Sequence, residues 1–180
     1  MAFQQVDTFT VTSGATNFII GGGTGGSSTT NFAINTDDIY MVTYTDVYMS
    51  NDGAVPALRL TTSGDGTVDS NANYDNARQN IYDNQAHSDQ GNENLTYFSS
   101  IGTGTTSAES HQGILYLYDF NSSSHYSYVL WEQIISTESP EYISPYGGGV
   151  LTTSQTTDGV QFYANSGNIN SGTFTMYKMV

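Results

Sequence analysis

Short runs of strand-forming residues, separated by two-residue turn signals, recur along the whole of this sequence. The runs are built from Val, Ile, Thr, Tyr and Phe, whose branched or flat side chains pack well on a pleated sheet. Between them stand pairs such as Ser13-Gly14, Asp52-Gly53 and Asp158-Gly159, where glycine supplies the positive φ of a tight turn. No long window shows the apolar periodicity of a helix. The pattern predicts an all-β sandwich or barrel.

The predicted strands are residues 6–12, 18–20, 32–34, 40–50, 57–62, 95–100, 113–120, 126–135, 160–165 and 173–179. The chain has 180 residues and no linker-like stretch, so we expect a single domain over residues 1–180. Two segments lack the strand pattern. Residues 21–30 (GGGTGGSSTT) predict a flexible surface loop, and residues 69–94, rich in Asn, Asp and Gln, predict a long loop.

The charge of the chain excludes several classes of partner. It carries 17 acidic and 3 basic residues, a net charge of −14. A nucleic-acid binder needs cations to displace counterions from phosphates, and only Arg59, Arg78 and Lys178 are available. Nucleic acid and an anionic membrane surface are therefore not expected as partners. The sequence shows neither a secretory signal nor the roughly 18 apolar residues that a membrane helix needs. Without Cys there is no disulfide framework.

One acidic segment spaces side-chain oxygens at alternate positions, as calcium loops do. The metal candidates are Asp65, Asp69, Asn71, Asn73 and Asp75. Tyr74 occupies the place where an EF-hand has its glycine, and no Glu closes the loop in register. The favoured interpretation is an acidic loop in which Asp and Asn bond their own backbone. We expect no cofactor.

No arrangement of residues predicts catalysis. Glu132, Glu138 and Glu141 are near one another in sequence, but Pro140 interrupts a common strand face. The three histidines, His87, His111 and His125, lie in or beside polar loop stretches, where they are expected to be solvated, and the nucleophile-elbow pattern G-x-S-x-G does not occur. The glycine-dense residues 21–26 have no Lys to reach a phosphate.

Glycan binding is the strongest hypothesis from composition alone, because Tyr, Asn and Ser also dominate adaptable binding surfaces. Trp131 does not support the glycan-binding hypothesis. It stands in an apolar run with Val129 and Leu130, where packing in the core is expected rather than stacking on a sugar.

The strand at residues 113–120 is apolar on both faces. Leu115 and Leu117 share one face. The other face carries Ile114, Tyr116, Tyr118 and Phe120. A strand of this kind must be covered on both sides. The second cover is a loop or another subunit, which makes these four residues interface candidates. The alternative is that the Tyr rings lie partly exposed with their hydroxyls in water.

Several short motifs resemble one family. The segment S-G-N-I-N-S-G at residues 166–172, between two strands, resembles the C-terminal hairpin of a module in virion structural proteins of marine and cyanobacterial tailed phages. Residues 38–44 (DIYMVTY), 57–63 (ALRLTTS) and 113–126 (GILYLYDFNSSSHY) fall in the order that such modules show. The similarity covers roughly residues 38–179 and departs from the family at residues 79–92 and 145–149.

The resemblance implies a jelly-roll-like antiparallel sandwich, a building block that is often trimeric and carries no catalytic residues. It predicts a non-enzymatic virion structural protein, a homotrimer assembled in the host cytoplasm, displayed as a capsid decoration or head-surface unit and docked on other virion proteins. The alternative is a tail-fibre or baseplate-proximal receptor-binding protein that recognises host surface glycans. A carbohydrate-active enzyme is the third hypothesis.

Overall fold

Two antiparallel sheets pack face to face, and the space between them is the hydrophobic core. The computed structural model describes residues 2–62, 66–137 and 141–180, and all the named elements lie in these ranges. The strands are β1 Phe3–Val11, β2 Asn17–Gly21, β3 Tyr40–Met49, β4 Pro56–Thr62, β5 Thr67–Val68, β6 Tyr74–Tyr82, β7 His87–Leu95, β8 Phe98–Ser99, β9 His111–Tyr118, β10 Ser127–Ser136, β11 Tyr142–Leu151, β12 Gly159–Ala164 and β13 Ile169–Met179. Single 3-10 turns span Gly23–Gly25 and Ser107–Glu109. The all-β prediction is confirmed.

The order of the strands is that of a jelly roll. The large sheet runs β1-β13-β3-β9-β10-β11-β6-β7, and the small sheet runs β2-β12-β4-β5 with β8 also paired to β4. The chain alternates between the sheets from β1 to β4 and again from β11 to β13, which is the double winding that defines the fold. The jelly-roll unit itself has eight strands: β1, β13, β3 and β9 in the large sheet and β2, β12, β4 and β5 in the small sheet. Strands β10, β11, β6 and β7 extend the large sheet beyond this unit.

Aromatic rings fill the core between the sheets. Phe174 of β13 meets Phe18 of β2 with ring centroids 4.7 Å apart, and Phe162 of β12 at 4.8 Å. Farther along, Phe98 packs edge-on against Tyr74. Trp131 is 2% exposed, which confirms its predicted place in the core.

Residues 69–94 were expected to be a long loop, and that prediction is wrong. They contain β6 and β7, which form a hairpin at the edge of the large sheet. Polar pairs join the two strands: Gln79 Nε2 donates to Asp89 at 2.8 Å, and Asn80 Nδ2 donates to Ser88 at 3.1 Å. Because both faces of the hairpin are polar, the alternation that predicts a strand is absent.

Three further strand predictions differ from the structure. Strand β11 was missed because it contains Pro145 and three consecutive glycines, which weaken a strand. Residues 32–34 form no strand; Ile34 is buried, and its N–H donates to the carbonyl of Asp158 at 2.9 Å. The predicted strand 95–100 is only the two-residue β8, since Leu95 ends β7.

The segment 21–30 is irregular, as predicted, but it is bonded to the edge of the large sheet. Asp7 of β1, 1% exposed, accepts the N–H of Gly21 at 2.7 Å and the hydroxyl of Thr30 at 2.5 Å. Ser28 also donates to this carboxylate. One buried carboxylate therefore joins β1, the end of β2 and the glycine-rich segment.

Candidate functional site

The outward surface of the large sheet, on the side away from the small sheet, is the candidate functional site; we call it the outer face. In β10, Val129, Trp131 and Ile135 point into the core and are buried. The intervening Leu130 and Ile134 point outward and are 44% and 54% exposed. The outer face holds seven of the nine large apolar side chains exposed in the described part of the chain: Phe3, Ile81, Tyr128, Leu130, Ile134, Tyr142 and Tyr146.

Side chains that lie directly opposite in neighbouring strands form rows across the outer face. The central row runs across β3, β9, β10, β11, β6 and β7 and consists of Met41, Tyr116, Leu130, Gly148, Ala77 and Gly91. Its first three side chains are large and its last three are very small. The row therefore changes from a ridge to a trough between β10 and β11.

The trough is visible as two shallow depressions. One lies over Gly148 and is bordered by Tyr118, Tyr128, Leu130 and Val150. The other lies over Ala77 and Gly91 and is bordered by Tyr146 and Gln79. Each depression is thus flanked by larger side chains of the neighbouring rows.

Two further rows flank the central row. One consists of Tyr118, Tyr128, Val150 and Asp75. The other consists of Thr43, Ile114, Glu132, Tyr146, Gln79 and Asp89. The three carboxylates of these rows, Asp75, Glu132 and Asp89, all stand in the flanking rows, and the central row carries no charged side chain. The surface is therefore rich in tyrosine, and its charges lie beside the central row.

Three of the four predicted interface candidates lie on the outer face. Ile114, Tyr116 and Tyr118 are half-buried members of its rows. Phe120 was predicted to share their face, and this is wrong, because it is 0% exposed and belongs to the core. Strand β9 ends at Tyr118, and the left-handed φ of 56° at Asp119 breaks the alternation. The chain turns there and directs Phe120 inward.

Packing requires glycine to different degrees at the three consecutive glycines of β11. A Cβ on Gly147 would lie 2.3 Å from the carbonyl oxygen of Ala77, and one on Gly149 would lie 2.4 Å from the ring of Phe98. Both positions therefore require glycine. At Gly148 the nearest atom would be the carbonyl oxygen of Val129 at 3.0 Å, and the side chain would point out of the molecule. Packing within one chain demands glycine least at Gly148, the residue that forms the trough.

The metal candidates are engaged with other parts of the chain. Asp69 Oδ1 accepts the backbone N–H of Asn71 at 2.9 Å, and Asp69 Oδ2 accepts the amide of Gln155 at 2.9 Å. Asp75 accepts the N–H of Asn94 at 2.8 Å. The backbone carbonyl of Asn73 accepts the N–H of Thr152 at 2.8 Å. Asp65 lies outside the described residues. Within the ranges that the structure describes, no three His, Asp or Glu side chains are grouped to hold a metal ion.

A buried polar pair lies between the sheets. His111, expected to be solvated, is instead the first residue of β9 and 1% exposed. Burial lowers the pKa of His111 to about 3, against a smaller opposing effect of a hydrogen bond to Gln133. Burial also raises the pKa of Tyr44, far above its ordinary value. Both groups are therefore uncharged at neutral pH. His87 and His125 are exposed, as predicted.

A polar cleft lies between the β6–β7 hairpin and the segment 100–102. Its walls include Arg78, Asn80, Tyr82, Ser88 and Gln90 from the hairpin and the segment 100–102 opposite. The guanidinium of Arg78 donates to the carbonyls of Ser99 and Ser100 at 2.9 and 2.7 Å, which fixes the hairpin to this segment. Aromatic, amide and hydroxyl groups are the side chains that hold neutral hydroxylated ligands.

Glu132 and Glu141, the two described acids among those considered for catalysis, are not brought together in a cleft. Glu132 points outward in a flanking row, opposite Tyr146 and Ile114, and Glu141 directly precedes β11. Glu138 lies outside the described residues.

No helix in the described ranges is long and apolar enough to cross a bilayer.

Comparison with protein families, with curated proteins and with solved structures finds no match for this chain. The expected resemblance to the phage module therefore has no support beyond the short motifs of the sequence.

The sequence alone did not indicate most of the outer face. The residues that form the trough come from three strands, β11, β6 and β7, none of which was predicted. The usable signal was the alternation of Tyr142, Ser144 and Tyr146 before the three glycines, which places aromatic side chains on one face of a strand.

Proposed function

We propose that this protein is a non-enzymatic structural component of a phage virion, displayed on the particle surface as a capsid decoration or head-surface protein. The observation that carries the proposal is the outer face, a tyrosine-rich sheet surface whose central row is uncharged, on a chain of net charge −14. An uncharged centre surrounded by Tyr and other aromatic residues is typical of protein–protein contact surfaces. The location on a phage particle is inferred from the resemblance to virion modules.

The charge of the molecule supports a docking role. A net charge of −14 keeps separate copies soluble and apart. Association must then use a surface where apolar and hydrogen-bonding groups replace carboxylates, and the rows around Leu130 and Tyr128 provide such a surface. A patch of exposed apolar side chains on this scale marks an interaction site in a soluble protein.

The proposal is tested on purified particles of the phage that encodes the chain. We expect mass spectrometry to find the protein in the particles, in many more copies than a tail fibre, and immunogold labelling to place it on the head. Its absence from particles purified free of lysate would contradict the proposal. Gold confined to the tail would favour the second candidate.

The second candidate is a tail-associated receptor-binding protein that recognises host glycans. The polar cleft between the β6–β7 hairpin and the segment 100–102 favours it, because Tyr82, Asn80 and Ser88 offer a ring and neutral hydrogen-bonding groups in one place. A glycan array probed with the labelled protein tests this candidate. Tyr82→Ala should abolish any signal, while Tyr126→Ala, at an exposed site outside the cleft, should leave it unchanged.

A further inference from the structure

We propose that a second copy of this chain covers the outer face, related to the first copy by a twofold axis that lies in the interface, parallel to the strands, between β10 and β11. This inference rests on the proposed function and names the partner of its docking surface. A twofold contact of this kind uses the same patch on both copies, so the proposed dimer stands in place of the homotrimer expected from the resemblance.

The central rows of the two copies are complementary in shape under this rotation. The axis places β10 of one copy over β11 of the other, β9 over β6, and β3 over β7. Leu130 then lies over Gly148, Tyr116 lies over Ala77, and Met41 lies over Gly91. At each of the three positions a large side chain meets a small one, so the ridge of each copy fills the trough of the other. Interdigitation of this kind is how two sheets pack face to face.

The flanking rows are compatible with the same rotation. Each carboxylate of these rows faces a side chain that carries a hydroxyl: Glu132 faces Tyr146, Asp75 faces Tyr118, and Asp89 faces Thr43. No carboxylate of the three rows lies opposite another carboxylate. The two copies of Glu132 lie one strand spacing, about 4.8 Å, apart across the axis, and this is the one place where the pairing brings carboxylates of the three rows near each other.

The size of the face suits a dimer. Six strands at about 4.8 Å spacing, each contributing about eight residues at about 3.3 Å, give roughly 750 Å² in projection. A stable complex buries about 800 Å² on each partner. The interface therefore has the area of a specific complex rather than of a chance contact.

The axis also explains Gly148. Within one chain, a Cβ at Gly148 would lie 3.0 Å from the carbonyl oxygen of Val129, a tight contact but a looser one than at Gly147 or Gly149. In the pair, Gly148 lies beside the axis and receives Leu130 of the other copy. Gly148 is thus the glycine of β11 that packing within one chain requires least, and the twofold contact supplies a second requirement for it.

Sedimentation equilibrium of the full chain tests the pairing. We expect a mass twice the 19.4 kDa of one chain, and Leu130→Glu should reduce it to that of the monomer. Ala86→Glu adds the same charge at an exposed turn residue away from the outer face and should leave the dimer intact. A monomeric or trimeric parent protein would overturn the pairing, and so would a Leu130→Glu protein that remains dimeric.

A second variant guards against misfolding of Leu130→Glu. Ala77 is exposed in the trough, and Ala77→Leu fills the space that Tyr116 of the other copy would occupy. Overpacking of this kind should raise the dimer dissociation constant at least about tenfold. An Ala77→Leu protein with unchanged dissociation constant would contradict the pairing.

The position of the axis is tested by cross-linking, which the absence of Cys makes simple. Tyr116→Cys and Ala77→Cys are made as separate variants. Sheets that pack face to face lie about 10 Å apart, so a bis-maleimide of that length should link the two variants when they are mixed. Two copies of the same variant should not be linked, because their residues are displaced sideways by three strand spacings, about 14 Å. Equal linking of like copies would contradict the axis.

The two proposals fail separately. Protein that is found on particles but is monomeric in solution would overturn the pairing and leave the proposed function in place. A protein that is dimeric in solution but missing from purified particles would overturn the proposed function and leave the pairing in place.

Discussion

The Nε2 atom of His111 lies 3.4 Å from the hydroxyl oxygen of Tyr44, inside the space between the two sheets. The rings are perpendicular, with centroids 5.2 Å apart. Because burial lowers the pKa of His111 to about 3, the folded protein holds this imidazole neutral over a pH range in which the unfolded chain protonates it.

The first prediction concerns stability at low pH. Between about pH 6.5 and pH 3 the unfolded state binds one more proton at His111 than the folded state, so the free energy of unfolding falls as pH falls. The loss approaches about 5 kcal/mol at the low end. His111→Gln should remove this part of the pH dependence, measured by urea unfolding at a series of pH values. His125→Gln, at an exposed site, should leave the profile unchanged; a parent and a His111→Gln protein with parallel profiles would contradict the prediction.

The second prediction concerns the carboxylate that anchors the glycine-rich segment. Asp7→Asn keeps the size of the side chain but weakens the hydrogen bonds from Gly21, Ser28 and Thr30. We expect a loss of about 1.5–3 kcal/mol in the free energy of unfolding, the range for a hydrogen bond to a charged group. The amide of Gly21 should also exchange faster with solvent deuterium. Asp37→Asn, on the exposed surface, is the matched control and should change neither quantity.

The third prediction concerns the contact between Gly149 and Phe98. Gly149→Ala forces a methyl group against a buried ring and should cost about 1–3 kcal/mol of stability. Phe98→Leu makes room, so the same substitution should cost less in that background, as a double-mutant cycle measures. Additive effects of the two substitutions would mean that the ring does not set the requirement for glycine.

The fourth prediction concerns the hydroxyl of Tyr74, which joins two backbone segments. It accepts the N–H of Leu60 at 3.0 Å and donates to the carbonyl of Asp69 at 2.8 Å. Tyr74→Phe leaves these buried groups without a partner and should reduce the free energy of unfolding by about 1–3 kcal/mol, measured by thermal and chemical denaturation. Tyr126→Phe, at a side chain 42% exposed, provides the comparison and should be neutral.

The sequence predicted the strands whose apolar residues alternate. Leu115 and Leu117 in β9, and Val129 and Trp131 in β10, determine which face is buried without any knowledge of their neighbours. The hairpin of β6 and β7 could not be found in this way. Its pairing depends on contacts such as Gln79 with Asp89, and side-chain polarity does not reveal which polar residues will pair across strands.

The candidate site was predictable only in part, because it is a property of register. Ile114 and Tyr116 were identified from the alternation within one strand. Their relation to Gly148 and Ala77 arises from hydrogen bonding between β10 and β11 and then between β11 and β6. A sequence gives the order of residues along each strand, whereas a row across six strands requires every pairing to be known. Phe120 was misplaced for a related reason, since one left-handed residue cancels the alternation.

The exposed turn of the β6–β7 hairpin, at the edge of the large sheet, has a practical consequence for engineering. Its connecting residues 83–86 are exposed. Asp83 is hydrogen-bonded to Tyr142, the first residue of the adjacent strand β11. The two tip residues, Asn84 and Gln85, lie away from the sandwich core and at the margin of the sheet. A peptide epitope or affinity tag grafted between them would be carried clear of both sheets, which makes this turn the natural attachment point for a displayed cargo.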